Sequence, residues 1–85
     1  DMIHQIYRSG TSIGANVAES QYAQSRADFL TKMTIALKEA NETHYWLGRL
    51  YSCGILKDKE YESINIDNEE IIKLLTSITG TVKKT

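Results

Sequence analysis

The chain is 85 residues long, with 41% apolar and 25% charged residues, no proline and a formal charge of -1. That length admits a single domain, residues 1–85, and a chain of this size buries only about 60–65% of the surface it exposes when unfolded, so packing partners often complete its core. The charge balance excludes a disordered or strongly basic chain; the lone Cys53 excludes an internal disulfide and fits a reducing, cytoplasmic setting; and no apolar run approaches the roughly 18 residues that span a bilayer, so no membrane partner is expected.

Ile3, Ile6, Gly10, Ile13 and Val17 step by 3, 4, 3 and 4, which keeps one face of an α-helix continuous. The sequence opens within this helical pattern, as though an N-terminal part were missing. Gly10 and Gly14 each cost about 1 kcal/mol relative to alanine in a helix interior. With Ala18 they form a row of small residues along which another helix can approach closely. The same stretch, Gly10 to Gly14, spells G-x-S-x-G, the pattern of a hydrolase nucleophile elbow. An elbow needs a strand before its serine and a parallel sheet beneath it. Ser12 has helical pattern on both sides, so it reads as a packing residue, and no catalytic residue is assigned.

A second helix starts at Ser25, whose hydroxyl can cap the first turn, with Asp28 as the partner of a capping box. Its seam is Phe29, Met33, Ala36, Ala40, Thr43, Leu47 and Leu50, and Gly54 supplies a left-handed cap after Cys53. A second apolar stripe through Ile35, Trp46 and Cys53, with Tyr45 nearby, is wider than one packing seam requires. It favours an extra helix, another subunit or both, and Ile35, Tyr45 and Trp46 are the candidate oligomer contacts. Trp46 itself fits bundle core, a subunit interface or base stacking.

The last helix begins near Asp58 as N-cap, and Tyr61, Ile64, Asn68, Ile71, Leu75, Ile78 and Val82 continue the alternating spacing. Lys57 to Glu70 holds six carboxylates against two lysines, a net -4, which leaves +3 for the remainder. Acid early and Lys83-Lys84 late suit the helix dipole and weaken a catalytic reading of the carboxylates.

Bundle metal sites set Glu and His three apart, whereas Glu42 and His44 are two apart and His4 is isolated, so no metal or cofactor is assigned. Arg8, Glu39 and Glu42, extended by Asn16 and Glu19, are expected to form a hydrogen-bonded network between adjacent helices.

The segment "YRSGTSIGANVAES" followed by "SRADFLTKMTIALKEANETHYWL" resembles the bacterial four-helix-bundle proteins encoded in 23S rRNA intervening sequences. The resemblance spans Ile3 to about Leu50 and rests on Arg8, Ser12-Ile13, Ala15-Asn16, Ala18-Glu19, Ser25, Phe29, Ile35-Ala36, Glu39 and Glu42. Many relatives carry proline at the position of Gly14 and glycine at that of Ser20. The resemblance implies an all-α, antiparallel up-and-down four-helix bundle whose first helix precedes Asp1, assembled as a homopentamer. The family is also similar to the accessory proteins of diversity-generating retroelements, which form basic pentameric barrels that bind nucleic acid and a reverse transcriptase. The expected function is therefore non-enzymatic binding of structured RNA or DNA, with copies of Arg8, Arg26, Lys32 and Lys38 contacting phosphates. The alternative is a scaffold that docks another protein through Tyr45 and Trp46.

Overall fold

The computed structural model, which describes residues 1–84, consists of three helices: α1 (Met2–Ser20), α2 (Arg26–Ser52) and α3 (Asp58–Lys84). Local chemistry sets the boundaries. The Asp1 carboxylate accepts from the His4 backbone N–H at 2.8 Å, and the Ser25 hydroxyl accepts from that of Asp28 at 3.0 Å. The reciprocal bond of the second cap comes one residue early, from the Gln24 N–H to the Asp28 carboxylate at 3.3 Å.

At the end of α2, Gly54 adopts φ +78°, which lets its own N–H reach the Tyr51 carbonyl and that of Ile55 reach the Leu50 carbonyl, each at 3.0 Å. This is the paired closure that a left-handed residue permits. The start of α3 lies one residue from the expected cap. Lys57 takes the cap position, with its N–H bonded by the Glu60 carboxylate at 2.9 Å, while Asp58 accepts from the Tyr51 hydroxyl at 2.8 Å.

The helix α2 is the spine. Both neighbours run antiparallel to it, because Ser9 meets Thr43 while Glu19 meets Lys32, and Asn68 meets Ala40 while Tyr61 meets Tyr51. The core consists of Met33, Ala36, Ala40 and Leu75, with Ile13, Val17, Phe29, Leu37, Ile72 and Ile78 packed around it. The α2 seam is thus the expected one, with Met33, Ala36, Ala40, Thr43, Leu47 and Leu50 all buried. Its alanines let both partners approach closely; larger residues there would push α1 or α3 away.

The outer helices differ from the sequence expectation in which face they turn inward. On α1 the buried residues are Ser9 and Ser20, not the glycines, and Gly10, Gly14 and Ala18 are exposed. On α3 the residues against α2 are Tyr61, Asn68, Ile72, Leu75 and Thr79, whereas Ile64 and Ile71 are 44% and 39% exposed. The expected α3 seam therefore combined two faces: Tyr61, Asn68 and Leu75 meet α2, and Ile64, Ile71 and Ile78 turn toward α1. Among the described residues the backbones of α1 and α3 both approach α2, and no Cα of α1 comes within 8 Å of one of α3.

Candidate functional site

Two surfaces and one internal seam carry the residues of interest. The seam joins α1 to α2. Arg8 Nη2 donates to Glu42 Oε2 at 2.6 Å and Nη1 to Glu39 Oε2 at 3.1 Å, while Nε donates to Gln5 Oε1 at 3.2 Å. The Glu42 bond foremost, then the charges of both carboxylates, hold the guanidinium above its ordinary value against the opposing effect of burial. Arg8 presents a planar fork, which suits it to two carboxylates at once in a way a lysine cannot match.

One residue further on each helix, the hydroxyls of Ser9 and Thr43 are 2.7 Å apart in the interior. At the far end Lys32 Nζ donates to Glu19 Oε1 at 3.3 Å. Asn16 bonds within its own helix, from Nδ2 to the Ser12 carbonyl at 2.9 Å and to Ser12 Oγ at 3.3 Å. The residues expected to form one network are thus placed in three separate pieces. Ser9 is the contributor that sequence reasoning missed, since an isolated serine on an apolar helix gives no signal of its own.

The first surface is a groove between α1 and α3, floored by α2. Gly10, Gly14 and Ala18 form one wall, Ile64, Ile71 and Leu74 the other, and Met33 and Thr43 lie beneath. A Cβ placed on Gly10 or Gly14 would meet no atom within 4 Å. Leu74 is 61% exposed, so this wall is apolar side chain open to water.

The second surface is the side of α2 turned away from the core. Ile35 is 38% and Tyr45 57% exposed there, while Trp46 is half-buried with its ring 4.9 Å from that of Tyr45 in an edge-to-face pair. Ile35 and Trp46 are 11 positions apart and so fall within about 20° of each other around the helix, whereas Tyr45 is turned about 80° from Ile35.

The expected phosphate contacts are not gathered on one face. Arg26, Lys32 and Lys38 are six apart on α2, so each points about 120° from the next. Arg8 and Lys32 are held in ion pairs, and Arg26 and Lys38 form none among the described residues. His44 Nδ1 lies 3.1 Å from Asn65 Oδ1. Among the described residues no cluster of His, Cys, Asp and Glu could hold a metal ion, and no helix is long and apolar enough to cross a membrane.

These features define an all-helical protein with no strands among its described residues, whose polar contacts join helix to helix. The chain belongs to the 23S rRNA-intervening sequence protein family, whose model matches residues 1–77. It is also similar to a crystal structure from Bacteroides thetaiotaomicron, described as a protein of unknown function from the S23 ribosomal protein family. The two share 60% identity and a TM-score of 0.90 over 92% of this chain and 72% of that one. Comparison with curated proteins gives no match.

Proposed function

We propose that this protein is a non-enzymatic, self-assembling four-helix bundle that binds structured nucleic acid through phosphate contacts. The observation that carries the reading is where the strong polar side chains are satisfied. Arg8 with Glu39 and Glu42, Ser9 with Thr43, and Asn68 with the Ala40 carbonyl all bridge helices. None converges on a cavity with a nucleophile and a base, so the molecule offers surfaces rather than a reactive centre.

The open α1–α3 groove supports the fourth helix. Its small-residue wall admits a close helix, and its apolar wall supplies the surface such a helix would cover. In this reading the fourth helix precedes Asp1. The Ile35 side of α2 then serves contact between copies, and a homopentamer repeats each cation five times. Membership of a family named for 23S rRNA intervening sequences, and a neighbour described with ribosomal proteins, favour RNA as the partner.

A salt series with a labelled structured RNA tests the reading. Affinity should fall steeply as salt rises, and Lys38→Glu should weaken it more than Lys32→Glu, because Glu19 already neutralises Lys32. No binding at low salt would overturn the nucleic-acid reading and leave a protein scaffold, for which exposed Ile35 and Tyr45 are the observation in favour.

A further inference from the structure

A hollow of about 700 Å³ lies between the start of α1 and the outer side of α2, lined by Gln5, Lys38, Asn41, Glu42, Tyr45 and Trp46 among others. Lys38, Asn41 and Tyr45 fall within about 60° on the side of α2 opposite Ala36 and Ala40. This surface is therefore distinct from the α1–α3 groove.

Its chemistry is unlike that of an apolar docking strip. The edge-to-face rings of Tyr45 and Trp46, inclined at 76°, make an aromatic corner. Asn41 Nδ2 donates to the Leu37 carbonyl at 3.2 Å, which leaves its oxygen free to accept. Gln5 Oε1 accepts from Arg8, which leaves its amide nitrogen free to donate. Arg8 also fixes Glu42 at the rim, and Lys38 forms no hydrogen bond or ion pair among the described residues. One flat face, one acceptor, one donor and one unneutralised cation thus border the same hollow.

We propose that this hollow receives one unpaired base of an RNA loop. The base lies against the Tyr45 and Trp46 corner, its edge meets the Asn41 oxygen and the Gln5 amide, and Lys38 contacts the adjoining phosphate. An aliphatic side chain would use the rings and leave the amides and the ammonium unanswered; a duplex would meet Lys38 but offer no free base face. The inference rests on the nucleic-acid reading above and narrows it from phosphate contact to loop recognition.

Trp46 is the only tryptophan of the chain, so its fluorescence reports on the site directly. The whole protein is titrated with a hairpin RNA carrying a single-stranded loop and with a blunt duplex of the same stem, and affinities are measured by anisotropy of the labelled RNA. The hairpin should quench Trp46 emission and the duplex should not. Tyr45→Ala should weaken hairpin binding about tenfold and leave duplex binding within about twofold, with sedimentation unchanged.

Hairpin binding without a change in Trp46 emission, or equal weakening of both RNAs by Tyr45→Ala, would overturn loop recognition and retain phosphate contact. Loss of assembly in Tyr45→Ala would assign the ring to a subunit interface and overturn it too. Failure of every RNA to bind at low salt would remove the underlying reading as well.

Discussion

Gly14→Ala reverses its sign according to what covers the α1–α3 groove. Gly14 and Gly48 both lie inside helices, and a Cβ added to either meets nothing within 4 Å. Each substitution in the 85-residue chain therefore gains the intrinsic helix preference, about 1 kcal/mol, which raises the melting temperature by about 4–8 °C in a domain of this size. A fourth helix on the row of Gly10, Gly14 and Ala18 would approach to about 8 Å between axes. An added methyl there overpacks the contact by about 1–3 kcal/mol. Gly48 lies on another helix, outside the groove lining, and keeps its gain. The two substitutions are made in the 85-residue chain and in a chain extended before Asp1 by the proposed helix, with unfolding followed by far-UV circular dichroism. Gly14→Ala should match Gly48→Ala in the first and fall at least about 4 °C below it in the second. Equal gains in both would refute a helix seated on this wall.

Other consequences follow from single contacts. Ser9 Oγ and Thr43 Oγ1 share three contacts, to each other at 2.7 Å and to the carbonyls of Ile6 and Glu39 at 3.3 Å and 3.0 Å, with only two protons between them. One of the three is therefore left without a proton at any moment, and the contact to the Ile6 carbonyl is the longest of them. Ser9→Ala should lose about 0.5–1.5 kcal/mol, whereas Ser9→Ala with Thr43→Val should lose less than the sum of the two single changes, as a double-mutant cycle by urea denaturation will show. The hydrogen bond to Asp58, reinforced by its charge, raises the Tyr51 phenol above its ordinary pKa of about 10. The folded chain keeps that proton longer than the unfolded one. The resulting stability is present below about pH 10 and lost as pH rises through the raised value. Tyr51→Phe should remove this share of the alkaline loss, and Asp58→Asn should lower the phenol's midpoint in an absorbance titration.

The helices and the α2 seam were legible because α2 is flanked on both sides, so its apolar period coincides with its buried face. On α3 the period was equally clear but served two partners. Ile64 and Ile71 belong to the same spacing as Asn68 and Leu75, and only the position of α1 shows that they leave the α2 contact. The glycines of α1 suggested a close approach, yet they are exposed and the buried residues of that helix are Ser9 and Ser20. Small size alone does not reveal which neighbour benefits. At the candidate site, residue types pointed to Arg8, Glu39 and Glu42 because opposite charges on apolar helices need each other. Glu19 was expected in the same network and Lys32 as a phosphate contact, so nothing paired the two, and their meeting depends on the tight turn between α1 and α2. Gln5 and Asn41 were invisible as site residues for the same reason: their amides acquire direction only from Arg8 and the Leu37 carbonyl.

Charge sets the terms of the proposed RNA binding. Arg8 and Lys32 are answered internally, and Arg26 and Lys38 point about 120° apart around α2. A single copy therefore presents one of these cations to any one backbone. With about 0.7–0.9 counterions released per phosphate neutralised, one Lys38 gives a slope of log affinity against log salt near -1, and five related by symmetry give about -4. The slope thus reports how many copies grip one RNA. A value near -4 that collapses toward -1 when dilution dissociates the assembly would show that repetition supplies the binding. A value near -1 at every concentration, with the assembly intact by sedimentation, would refute the ring as the platform, because symmetry would then add copies without adding contacts.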